Sequence, residues 1–278
     1  MNFFRRFPSF AKAIVLPTVL ALSVFACQGE HASGKNASAA PNLYEQLKQN
    51  KVVRVGTEGT YAPFSFHDTA NGNVLTGFDV ELAREVFKRI GIEKVEFVEG
   101  PWDSLIAGVD AGRYEAVANQ VGITPARQAK YDFSQPYIAS PLVVIAREDD
   151  QTIHRLEDIK GKKAAQTATS NFGQTAVKYG AQIVTSDGFA QSVDLLTTGR
   201  ADVTLNDRLS FLDYKKQKPD AKIKVVATDA EPAHSGILLK KGSPELVAAI
   251  NKALDEIKAD GTYSKISTRF FGVDVSKP

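Results

Sequence analysis

Beyond residue 50 the chain alternates between short β-branched or apolar runs and segments of helical period, and this alternation constrains the fold more than any single motif. Strands are expected at 51–56, 94–98, 115–119, 141–147, 163–166, 182–185, 201–205, 222–227 and 235–240, and helices at 78–90, 102–111, 171–179, 188–198, 244–259 and 263–268. Within 78–90, Leu82, Val86, Phe87 and Ile90 recur on one helical face. Regular βα alternation argues for mainly parallel sheets covered by helices. A chain of 278 residues has room for two modest domains. We read lobe 1 as 42–137 plus 233–278 and lobe 2 as 138–232. Two strand-like crossings between the lobes form a hinge. The expected class is α/β, two-lobed, with a mainly parallel sheet in each lobe.

The first 26 residues read as a targeting segment. Arg5, Arg6 and Lys12 form a basic flank, followed by an apolar run from Ala13 to Ala26 and then the single cysteine, Cys27. Such a run is short for a membrane span and suits a signal peptide. The order Val24-Phe25-Ala26-Cys27 resembles a bacterial lipobox, which would make Cys27 the acylated N-terminus, although Phe25 departs from the usual small residue. A secreted protein with an incidental cysteine is the alternative. Residues 27–41, rich in Ala, Ser and Gly, read as a flexible tether. The leader also biases the formal charge of +2: 34 basic side chains less its three leaves 31 against 32 acidic ones. A near-neutral mature chain lacks the electrostatic footprint of a nucleic-acid binder.

In open α/β sheets, ligands bind beyond the carboxyl ends of strands. That rule selects the residues after each expected strand. Thr124 is a good N-cap and Pro125 a good first helical residue, so Arg127 falls in the first turn of a helix. A cation is unfavourable there unless an anion binds beside it; the alternative is a solvated arginine near Asp132. Asn206 and Asp207 end a strand and begin a helix. One of them can cap, leaving the other to face a cleft. Asp207 opposite Arg127 would suit a zwitterion. Ser170 is a cap that can also offer its hydroxyl to a carboxylate. Tyr61, Phe64 and Trp102 follow strands and are either pocket walls or core. Gln120 could read a polar ligand or be a satisfied interior amide, and Gly122 would let a ligand approach the backbone or merely serve a turn. No metal-ligand spacing, nucleophile elbow or phosphate loop is found, and no cofactor is expected.

Several ordered strings resemble the polar amino-acid branch of the ABC-transporter extracytoplasmic solute-binding proteins, family 3. They are Val53-Arg54-Val55-Gly56-Thr57, Tyr61-Ala62-Pro63-Phe64, Gly77-Phe78-Asp79-Val80-Glu81-Leu82-Ala83, Trp102-Asp103-Ser104-Leu105-Ile106, Ile123-Thr124-Pro125-Ala126-Arg127, Asp132-Phe133-Ser134-Gln135-Pro136-Tyr137 and Asp260-Gly261-Thr262-Tyr263. The resemblance implies a type II periplasmic-binding-protein fold that closes on its ligand. It also implies that Arg127 holds an α-carboxylate, Asp207 an α-ammonium and Ser170 the carboxylate again, with Tyr61 as a pocket wall. Ala118-Asn119-Gln120-Val121-Gly122 looks most like the cystine-binding subgroup.

The reading is a monomeric, exported, lipid-anchored receptor. It binds an amino acid, cystine favoured, and passes it to an ABC permease. The first alternative is an enzyme on the same scaffold, resembling a cyclohexadienyl dehydratase. That chemistry needs a general acid, and the sequence suggests no spare cleft carboxylate. The second alternative is a sensory receptor acting through a separate partner.

Overall fold

The computed structural model describes residues 41–276; the expected signal segment, Cys27 and nearly all of the tether lie outside them. The first part of the chain forms α1 (Leu43–Asn50), β1 (Val52–Thr57), β2 (Thr60–Tyr61), β3 (Ser65–Asp68), β4 (Val74–Thr76), α2 (Phe78–Arg89), β5 (Lys94–Glu99), α3 (Trp102–Leu105), α4 (Ala107–Asp110), β6 (Ala116–Val117), α5 (Pro125–Gln128) and β7 (Tyr131–Phe133). The second part forms β8 (Ile138–Arg147), β9 (Lys163–Gln166), α6 (Asn171–Lys178), β10 (Gln182–Thr185), α7 (Phe189–Thr197), β11 (Val203–Asp207), α8 (Arg208–Gln217) and β12 (Ile223–Ser235). The chain then returns to the first lobe as β13 (Leu238–Lys240), α9 (Pro244–Ala259) and α10 (Thr262–Phe271).

Each lobe is built on a five-stranded sheet, ordered β5-β1-β6-β13-β7 in lobe 1 and β10-β9-β11-β8-β12 in lobe 2. In both sheets four strands run one way and one runs against them: β13 in the first and β8 in the second. The opposed strand is in each case the first that the chain makes after crossing between lobes. The crossings are themselves paired, Ile138 opposite Ser235 and Pro141 opposite Pro232. Strand β12 therefore runs well beyond the expected 222–227. Prolines end a strand in a sequence reading because they lack an N–H, but here the ladder resumes on either side of them.

Other differences are local. The expected helix 102–111 is divided at Ile106, where Ser104 and Val109 bond to carbonyls three residues back rather than four. The expected strand 201–205 begins two residues later, because the turn through Gly199 keeps Arg200 and Ala201 bonded to Leu195. Helix α1 and the small β2-β3-β4 sheet were not anticipated. Helix α2 buries Phe78, Leu82, Val86 and Phe87 as its spacing requires, and it enters at Gly77, where a Cβ would lie 2.2 Å from the carbonyl oxygen of Phe64.

Candidate functional site

The carboxyl ends of β1 and β6 in lobe 1 face those of β9 and β11 in lobe 2, and side chains bridge the gap. The Tyr61 hydroxyl, in β2 just after β1, donates to Asn206 Oδ1 at 2.7 Å and lies 3.2 Å from Gln120 Oε1. Gln120 Nε2 donates to Asp207 Oδ2 at 2.6 Å. The other Asp207 oxygen accepts from the Leu209 N–H at 2.7 Å and caps α8. Asp207 thus does both things that the sequence divided between it and Asn206, because a carboxylate has two oxygens and the cap needs one. Burial pushes the Asp207 carboxyl up to about 6, against the pull of the Gln120 carboxamide.

Thr124 caps α5 through its hydroxyl, which accepts from the Arg127 N–H at 3.3 Å. Helix α5 is a single turn, so the macrodipole invoked from the sequence is small. What orients Arg127 is instead its surroundings. Its guanidinium donates to the Gly122 carbonyl at 2.9 Å, sits 5.3 Å above the Trp102 ring and lies 3.5 Å from the Thr169 carbonyl of lobe 2. Among the described residues no carboxylate pairs with it, and burial alone brings its pKa down to about 10, so it stays charged at neutral pH. Gly122 lies between Arg127 and Asn171 of lobe 2: a Cβ on it would stand 3.5 Å from both side chains.

Tyr61, Trp102, Gln120 and Ser170 line one cavity of about 40 Å³ between the lobes. Ser170 caps α6, its Oγ accepting from the Gly173 N–H at 3.0 Å. The Trp102 indole N–H is buried without an acceptor among the described residues. Phe64 is a correction. Its ring is fully buried behind Tyr61, with centroids 5.4 Å apart, and packs against Phe271, so it belongs to the core and not to the cavity wall. In the Tyr61-Ala62-Pro63-Phe64 turn one aromatic ring faces the cleft and the other faces inward.

A guanidinium in lobe 1 and a carboxylate in lobe 2 thus stand at the cleft, with strand-end loops between them. The chain belongs to the bacterial extracellular solute-binding proteins, family 3. That family matches residues 53–273. The L-cystine-binding protein TcyA of Bacillus subtilis is 43% identical over 260 residues, which are 94% of this chain and 96% of TcyA. The L-cystine solute receptor of Neisseria gonorrhoeae, in an unliganded open conformation, is 48% identical over 84% of this chain and 99% of its own, with a TM-score of 0.57. An ancestral arginine-binding protein bound to arginine is 36% identical over 80% of this chain and 99% of its own, with a TM-score of 0.74. The less identical structure superposes better.

The family fold also makes sense of residues that the sequence reading passed over. Asp103, in the first turn of α3, reaches across the cleft mouth and accepts from the N–H groups of Ala168 and Thr169, at 3.1 and 2.9 Å, and from the Thr169 hydroxyl. Glu58, immediately after β1, lines the cavity; its carboxylate accepts from Asn119 Nδ2 at 2.6 Å while its N–H donates to Asn119 Oδ1. Burial raises the Glu58 carboxyl to about 7. The cleft therefore does hold a carboxylate beyond Asp207, contrary to the sequence expectation. The strand-end rule selects its loop, where Tyr61 and Phe64 are the more conspicuous side chains.

Proposed function

We propose that this protein is the extracytoplasmic receptor of an amino-acid ABC importer and closes on a zwitterionic ligand, with cystine preferred. The observation that carries the reading is Arg127: a guanidinium at the cleft, held by carbonyls and an aromatic face, with no carboxylate partner among the described residues. A ligand α-carboxylate is the group that such a fork takes. Trp102, whose ring carries the guanidinium and whose N–H is unpartnered among the described residues, and Ser170 both line the cavity between the lobes and can assist. The α-ammonium goes to Asp207, displacing the Gln120 amide from Oδ2. Tyr61 and Gln120 then form the wall against the ligand's body. Cystine has a second ammonium, and Glu58 is the second carboxylate of the cleft that can meet it.

Because bonds from Tyr61, Gln120 and Asp103 cross the cleft, the ligand enters when the lobes part about the paired crossings and is enclosed when they meet. We further propose that the chain is exported and anchored by acylation of Cys27, supported by the basic flank, the apolar run and the Ala26-Cys27 junction. Lobe 1 is taken as 42–137 plus 233–278 and lobe 2 as 138–232, acting as a monomer beside its permease.

The test is calorimetry of leader-free protein against cystine, arginine, histidine, glutamine and prephenate, with each compound assayed afterwards for chemical change. Cystine bound most tightly and recovered intact is the expected result. Turnover of a bound acid would establish the enzyme reading, with Glu58 as its proton donor. Binding of none of the five would end the receptor reading.

A further inference from the structure

Gln120 is the residue on which both lobes converge, yet what holds it lies outside the cleft. Its backbone is in the left-handed region, at φ 49°, a conformation that a glutamine does not adopt without restraint. Its N–H donates to Asp79 Oδ2. Asp79 is the second residue of α2, 1% exposed, and its side chain does not cap its own helix. The same Oδ2 accepts from the Tyr137 hydroxyl at 2.9 Å. Tyr137 stands immediately before β8, at the first crossing, and its N–H donates to the carbonyl of Ser235, where the second crossing ends. Its own carbonyl accepts from the Tyr263 hydroxyl at 2.6 Å. The other Asp79 oxygen, Oδ1, is buried without a partner among the described residues.

One carboxylate oxygen therefore joins the backbone of a cleft residue to the side chain of a hinge residue. Burying a carboxylate with half its acceptor capacity unused is costly, and helix α2 gains no cap from it. We infer that Asp79 is a positioning residue. It holds Gln120 in the left-handed conformation that presents its carboxamide to the cleft wall, and it ties that conformation to the hinge through Tyr137. Changes at the crossings then reach the cleft through this oxygen atom and the Tyr137 hydroxyl beside it. For its ligand readout the inference rests on the amino-acid receptor reading.

The experiment uses ¹⁵N-labelled leader-free protein and L-cystine as the probe. Asp79→Ala removes the shared acceptor and is expected to weaken cystine binding ~30-fold, whereas Asp79→Asn, which keeps a neutral acceptor in place, stays within about fivefold of wild type. In a Gln120→Gly background, where the left-handed conformation needs no restraint, Asp79→Ala should cost less than about twofold. A general loss of packing would instead weaken both backgrounds alike, and that result overturns the inference. Tyr137→Phe keeps the aromatic ring and removes one donor. It should move the Gln120 amide resonance, and it serves if Asp79→Ala does not fold. An unmoved Gln120 resonance in Tyr137→Phe breaks the link between hinge and cleft. If wild type binds no cystine, the receptor reading fails by itself, and the Gln120 resonance still decides the role of Asp79.

Discussion

The two walls of the cleft are built differently. Lobe 2 presents helix starts: Ser170, Gly188 and Asp207 are the N-caps of α6, α7 and α8, and two of them are fixed by bonds to N–H groups two or three residues on. Lobe 1 presents side chains held from behind by groups distant in the chain. Asn119 clasps Glu58, Asp79 holds Gln120 and the Trp102 face carries Arg127. Lobe 2 thus offers a locally determined surface, and lobe 1 supplies the free charge and most of the adjustable chemistry. Substitutions in lobe 1 should therefore act mainly on affinity, and those in lobe 2 should divide between affinity and stability.

The largest effect is expected at Arg127. Arg127→Ala leaves the ligand carboxylate without its main partner, a loss of about 2–5 kcal/mol, or roughly 30- to 5,000-fold in affinity. Arg127→Lys recovers part of this, since a point charge does not reproduce the planar fork. Calorimetry with cystine measures both. Binding by Arg127→Ala within about twofold of wild type would remove Arg127 from the site.

Asp207→Asn sharpens the comparison from the other wall. Asparagine caps helices as well as aspartate does, so the melting temperature should hardly move while cystine affinity falls ~100-fold for want of the charge. A matched fall in both would mean that Asp207 is a cap and little else.

Protons should act on fold and ligand in opposite directions. Burial raises Glu58 and Asp79 to about 7 and Asp207 to about 6, so the folded protein binds these protons more tightly than the unfolded chain. Their contribution to stability is full below about pH 4 and is lost as pH rises through 6 to 7. Ammonium groups need the ionised carboxylates, so cystine affinity instead falls as pH drops. Glu58 alone accounts for about 30-fold between pH 8 and 5.5. Melting curves and titrations across that range should show the two opposed slopes. In Glu58→Gln the affinity slope should shrink, and an unchanged slope would exclude Glu58 as a reader of the ligand.

Ser170→Ala should give the smallest change. Losing the α6 cap costs about 1 kcal/mol of stability, and losing one hydroxyl at the carboxylate costs about fivefold in affinity. A loss as large as that of Arg127→Ala would overturn the division between the walls.

What the sequence by itself determined is what depends on near neighbours. The βα order, the helical face of α2, the Thr124 cap that places Arg127, the cap at Ser170 and a cap at either Asn206 or Asp207 all follow from residues within a turn of one another. The strand-end rule brought Arg127, Asp207, Tyr61, Gln120, Ser170 and Trp102 into consideration by the same local logic. Tertiary structure decided the rest. Phe64 went to the core because Phe271, at the far end of the chain, closes over it. Strand β12 passed its proline because β8 lay alongside. Glu58 and Asp79 became perturbed acids because burial shuts water away from them, and the partners that partly offset that rise, Asn119, Gln120 and Tyr137, arrived from 41 to 61 residues away. Periodicity and capping are short-range and leave their mark on the order of residues. Burial and the pairing of distant polar groups exist only once the chain has closed on itself.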